Sequence, residues 1–196
     1  MTTARPALAR RAVVAAAILG MLTAAGAAPA NAQTRPLQPI ALAVSLRLAT
    51  ADTVAAAKWG TPSPIDDPAR EAQVLGAVAS QAADEGLSAP RVQQIFRDQI
   101  EANKVVQRAL FSWWSVAPGA APTVRPDLSQ VRPVIDRQNT DILLQLREQE
   151  DLLAGPGCVP ALVDAAVAVA AEQRLDALHQ ATLARALVSI CGAIRE

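Results

Sequence analysis

Apolar residues recur at helical spacing along almost the whole chain beyond residue 36, and no stretch alternates with the period of two that a half-buried strand requires. Even the valine-rich piece near 162–171 sits among alanines and keeps the helical period. The pattern predicts a first helix over about 37–58. Asp52 is able to cap a restarted turn inside it, so a break near 50–53 is left open. Gly60, Pro62 and Pro64 then mark a loop. Asp67 caps a second helix with Pro68 at its first position, and Gly86 stops it just past Glu85. A third runs from about Ala89 to Trp114, opened by Ser88 with Pro90 in its first turn. Residues 117–126 form a linker. A fourth helix covers about 128–153, with Pro133 either kinking it or marking its true start. Gly155, Pro156 and Gly157 break the chain before two last helices, at about 159–171 and 174–194. Long helices with short connections predict an all-α, single-domain bundle of about six helices.

The first 32 residues follow a different rule. Arg5, Arg10 and Arg11 make a basic start, an alanine-rich apolar run follows, and Ala30, Asn31 and Ala32 fit a small-x-small cleavage site. This predicts a signal peptide over 1–32, a mature domain over 33–196, and an exported protein, periplasmic or secreted. The alternative is a membrane anchor, for which the run is short and poor in large apolar residues. The export route stays open.

Removing residues 1–32 takes away three arginines and no acid, so a net charge of zero becomes −3. No basic stripe or aromatic platform is present, which argues against nucleic acid as a partner. An anion site must then be a local cluster of cations on a weakly acidic background. The two cysteines, Cys158 and Cys191, agree with export, since an oxidising compartment would let them pair; two buried thiols are the alternative. With one histidine, His179, and no clustered ligand spacing, neither a metal nor another cofactor is expected.

Several polar residues sit oddly in this pattern. Arg47 interrupts the apolar run ALAVSLRLAT, and Lys58 follows eleven residues later. That separation is close to three helical turns, so both share a face, roughly 16 Å apart along an unbroken axis. They either hold a small anion between them or are a snorkelling core arginine and a solvated helix end. Asp67, Arg70 and Glu71 open the second helix. Asn103 and Gln107 stack four residues apart on the third, and Arg132 stands beside Pro133. Nothing near His179 supports a nucleophile and base, and Asp66 with Asp67 is explained as a helix start.

The ordered set Arg47, Lys58, Asp67-x-x-Arg70-Glu71, Asn103 within DQIEANK, Gln107 and Arg132 resembles the all-helical chorismate mutases. The leader, the two cysteines and the extra C-terminal helices resemble their secreted subclass. The resemblance implies conversion of chorismate to prephenate, an intramolecular Claisen rearrangement that needs no proton transfer and no covalent intermediate. It implies Arg47, Arg70 and Arg132 as carboxylate clamps, with Asn103 helping to hold one carboxylate. It implies Lys58 and Gln107 as the catalytic donors to the ether oxygen. Glu71 and the Asp67 main chain would fix the substrate hydroxyl. Gln107 departs from the glutamate that some secreted relatives carry, and Val74 from a polar residue used nearby. A site within one protomer and a homodimer are also implied. The alternative is an exported helical protein that binds a small dianion without turnover; donors at the ether position favour the enzyme.

Overall fold

The computed structural model describes residues 35–195, so the expected leader lies outside the described residues. These fold into seven α-helices and a single 3-10 turn at Pro118–Ala120, with no strand among them. The helices are α1 (Gln38–Lys58), α2 (Pro68–Asp84), α3 (Ala89–Val116), α4 (Leu128–Glu148), α5 (Glu150–Ala154), α6 (Cys158–Glu172) and α7 (Ala177–Ala186).

α1 is the central strut and packs against α3, α4, α6 and α7. Its buried Ile40, Ala41, Val44, Leu48 and Ala51 meet Phe96 and Val106 of α3, Ile142 and Leu146 of α4, and Leu162 and Val169 of α6 in one core. Small alanines let neighbouring axes come close, which is how one helix supports four partners. α1 runs unbroken past 50–53. Thr50 Oγ1 donates back to the Arg47 carbonyl at 2.7 Å, and Asp52, rather than capping a restarted turn, meets His179 of α7 at 3.2 Å.

The end of α1 is tied to the end of α3. Trp59 packs edge-on against Phe111 at 5.0 Å and Trp114 at 5.4 Å between ring centroids. Such aromatic pairs contribute about 0.5–1.5 kcal/mol each beyond area burial. Gly60 follows at φ +67°, a left-handed turn that sends the loop back toward α2. There Asp67 caps α2 by accepting from the Arg70 N–H at 3.0 Å. α2 ends as expected: Gly86 at φ +71° places Leu87 N–H on the Ala82 carbonyl and Gly86 N–H on that of Ala83.

The fourth helix starts where the sequence pattern puts it, but the end of that helix and the bounds of the last one differ. Pro133 lies inside α4, whose start is set by Asp127 accepting from the Ser129 N–H at 2.8 Å. The helix expected over 128–153 divides at Gln149 into α4 and α5. The last helix stops at Ala186, not near Ile194, and starts at Ala177, capped by Asp176, while Arg174 takes a left-handed conformation at φ 52°. Tertiary bonds override helical periodicity in the tail. Arg91 Nη2 donates to the carbonyls of Ser189 and Cys191, Gly192 N–H to Leu153, and Ser88 N–H to Ile194. The expected disulfide is formed: Cys191 is bonded to Cys158, which clamps the tail to the start of α6.

Candidate active site

Four helices each lend one stripe of side chains to a single cleft. α1 supplies Arg47, Thr50, Val54 and Lys58, and α3 supplies Ile100, Asn103, Lys104 and Gln107. The start of α2 supplies Asp67, Arg70, Glu71 and Val74, and α4 supplies Leu128, Arg132 and Ile135. These spacings of three, four and seven are what put residues on one helix face. The cleft therefore gathers all eight polar residues singled out in the sequence. It holds five cations against two carboxylates.

Arg47 is no snorkelling arginine: it is 4% exposed. Its Nε donates to Asn139 Oδ1 of α4 at 2.7 Å, and its guanidinium stands over the Phe96 ring, 5.6 Å from the centroid. Burial pushes its pKa down to about 10 against the pull of Asp136, so it stays cationic at neutral pH. Lys58 is half-buried. Its Nζ donates to the carbonyls of Pro64 at 2.8 Å and Ile65 at 3.2 Å, which uses two of its three donors. Burial lowers its pKa, opposed by Asp67, Asp66 and Glu71, with Lys104 adding to the lowering. Arg70 reaches Asp136 of α4 at 3.6 Å and Gln73 at 3.4 Å. Arg132 is exposed at the rim.

On α3, Gln107 Nε2 donates to Asn103 Oδ1 at 2.7 Å. Gln107 is 3% exposed, and its Oε1 is buried with no partner among the described residues. Rotating both amides by about 180° reverses the bond, with Asn103 Nδ2 donating to Gln107 Oε1, and leaves Gln107 Nε2 free to donate elsewhere.

Sequence reasoning missed two residues. Asn139, 5% exposed, anchors Arg47. Lys104, 8% exposed, lies against Asp66, Glu71 and Glu101. Lys104 was legible, since it lies one step from Asn103 and four from Ile100 on the same face. Asn139 was not, because only the approach of α4 to α1 brings it to Arg47.

The family model described as chorismate mutase type II matches residues 40–108. The secreted chorismate mutase of Mycolicibacterium smegmatis is 37% identical over 180 residues, covering 91% of this chain and 99% of the relative. The chain belongs to the secreted chorismate mutases. That of Mycobacterium tuberculosis is 35% identical over 161 residues, covering 82% of this chain and 81% of the relative. The crystal structure of chorismate mutase from Burkholderia phymatum superposes with a TM-score of 0.75 at 39% identity, covering 80% of this chain and 96% of that one.

Within this chorismate mutase the cleft, and not a roomier apolar groove elsewhere, has the chemistry for a dianion. The groove between α6 and α7 is larger, about 650 Å³ against about 140 Å³, but valine, alanine and leucine line most of it and no cation does. The cleft offers planar arginine forks for carboxylates, an ammonium, and an amide pair whose direction is reversible.

Proposed function

We propose that the cleft binds chorismate and lowers the barrier to its rearrangement by fixing the reactive conformer and stabilising charge on the breaking ether. In this reaction the ether C–O bond breaks as a C–C bond forms, and no proton moves. Arg47, Arg70 and Arg132 clamp the two carboxylates, with Asn103 helping to hold one of them. Restricting the substrate to its chair removes the orientational cost of reaction. Lys58 Nζ and Gln107 Nε2 donate to the ether oxygen, where negative charge grows only in the transition state. Glu71 and the Asp67 main chain fix the hydroxyl. The supporting observation is that Lys58, Gln107 and the three arginines line one cleft of a single chain.

The same reading takes residues 1–32 as a leader removed on export and 33–196 as the mature enzyme. It takes the working form as a homodimer, on the strength of the family resemblance, and light scattering on the mature chain tests that state. The activity test is direct. Purified residues 33–196 should consume chorismate, followed by loss of its absorbance, without added metal or cofactor. Saturable binding of chorismate with no turnover would favour the binding-protein alternative.

A further inference from the structure

Lys104 is a lysine at the cleft with no donor left for a ligand. An ammonium has three N–H donors and accepts nothing. Its Nζ stands 2.5 Å from a Glu101 carboxylate oxygen, 3.1 Å from one of Glu71 and 3.2 Å from one of Asp66. The Lys104 side chain is 10% exposed while Glu71, Glu101 and Asp66 are 28%, 41% and 55% exposed, so the Glu71 contact is the most shielded of the three. Arg108 reinforces the arrangement from the solvent side, its Nη2 donating to both Asp66 oxygens at 2.7 and 2.8 Å. The three carboxylates come from the loop before α2, from α2 itself and from α3. Lys104 thus pins the mouth of α2 to α3 at the level of Glu71.

We propose that Lys104 is a positioning residue: it holds the Glu71 carboxylate toward the cleft as an acceptor and makes the site select a ligand that carries a hydroxyl. This rests on the reading of the cleft as a chorismate site with Glu71 at the hydroxyl. Lys104 acts through Glu71 and touches no substrate itself. It also offsets the negative charge of Glu71, Asp66 and Glu101, which would otherwise face a dianion. A site built to bond a hydroxyl rejects an analogue lacking it, because its own polar group is left unpaired. That selectivity depends on Glu71 being held in one direction.

The test uses the mature enzyme and two stable dianionic inhibitors, cyclic ether dicarboxylates that differ only in the ring hydroxyl. The variants are Lys104→Met, which keeps the apolar stem, Lys104→Arg, which keeps the charge, and Glu71→Gln. The wild type should prefer the hydroxylated inhibitor by ~10-fold or more, as expected for a satisfied buried hydroxyl. Lys104→Met should weaken both dianions, because a cation that offsets three nearby carboxylates is lost, but the hydroxylated one by far more, so that most of the preference disappears. Lys104→Arg should recover part of it. Adding Glu71→Gln to Lys104→Met should cost little more, since both act on one contact. A preference undiminished in Lys104→Met overturns the proposal. So does an equal loss for both inhibitors, which is what loss of the charge alone, or a general loosening of the fold, would produce. Wild-type turnover of chorismate, measured alongside, separates the two ideas. A wild type that turns over chorismate while Lys104→Met keeps its preference sinks only the role of Lys104; a wild type without turnover sinks the catalytic reading itself.

Discussion

Arg47 Nε donates to Asn139 Oδ1 at 2.7 Å in a buried contact that joins α1 to α4. The bond fixes the plane of a guanidinium that is buried and has an aromatic face beside it. Asn139→Ala should leave that N–H buried without an acceptor, a loss of about 1–3 kcal/mol. Urea unfolding should report the lost stability. Chorismate KM should rise by more than kcat falls, because a carboxylate clamp acts in ground and transition states alike. Unchanged KM and stability would show that Arg47 is held by its ring contact and burial alone.

Lys58 is positioned differently, by carbonyls of the loop rather than by a side chain. On the proposed reading, its remaining donor stabilises the ether oxygen most as charge develops there. Lys58→Ala should therefore lose far more kcat than inhibitor affinity, by about 10²–10³ if one transition-state donor is removed. Wild-type turnover in that variant would remove Lys58 from the catalytic pair.

His179 links α7 to α1. Its Nδ1 lies 2.8 Å from Asp176 and its Nε2 3.2 Å from Asp52. Burial works against protonation, but the two carboxylates outweigh it and its pKa is raised. Asp176 is lowered, first by the His179 backbone N–H. A raised folded pKa contributes stability that is complete below the unfolded value of about 6.5 and is lost as pH rises through the folded value. The lowered Asp176 contributes above the ordinary carboxylate range and fades as pH falls through its depressed value. The latch should thus be strongest near pH 5–6, between the two windows. The stability difference between wild type and His179→Gln, measured by urea unfolding, should shrink as pH rises from about 6 to 9. It should stay within ~1 kcal/mol, since Asp52 is half exposed. A difference that grew with pH would reverse the assignment.

The helix content and most boundaries were legible because each helix opens or closes on a local signal, as with Asp67 before Pro68 and Gly86 after Glu85. The cleft was legible because Arg47 breaks an apolar run and Lys58 repeats its face. The tail was not, since its path is set by Arg91 and by the Cys158–Cys191 bond, contacts across about a hundred and 33 residues respectively. Asn139 was hidden for the same reason. Its role depends on where α4 lands.

Arg174 holds a left-handed conformation at the end of α6, with Leu175 N–H on the Ala170 carbonyl and Arg174 N–H on that of Ala171. This is the helix-ending geometry that glycine favours, and a side chain there costs about 1 kcal/mol. Arg174→Gly should raise stability by about 0.5–1 kcal/mol and leave turnover unchanged, since the position is remote from the cleft. A lower melting temperature would mean that the Arg174 side chain contributes more than its backbone strain costs.

Gln107 carries the last prediction. Its amide is tied to Asn103, and reversing that bond satisfies the buried Oε1 while freeing Nε2, which on the proposed reading donates to the ether oxygen. A glutamine does not ionise, so wild-type kcat should be flat from mildly acidic to neutral pH. Gln107→Glu breaks that independence. Ionised, the new side chain only accepts, and it sets a negative charge against the charge growing on oxygen. Protonated, it regains one donor. Lys58 and Lys104 favour the ionised form, while burial favours the neutral one. Whichever dominates, activity must rise as protonation proceeds. The variant should be about 10²–10³ slower than wild type at neutral pH, the usual cost of one lost donor at a developing anion, and should gain rate as pH falls. Wild-type turnover by Gln107→Glu at neutral pH would place the side chain away from the ether oxygen and leave Lys58 as the sole donor there.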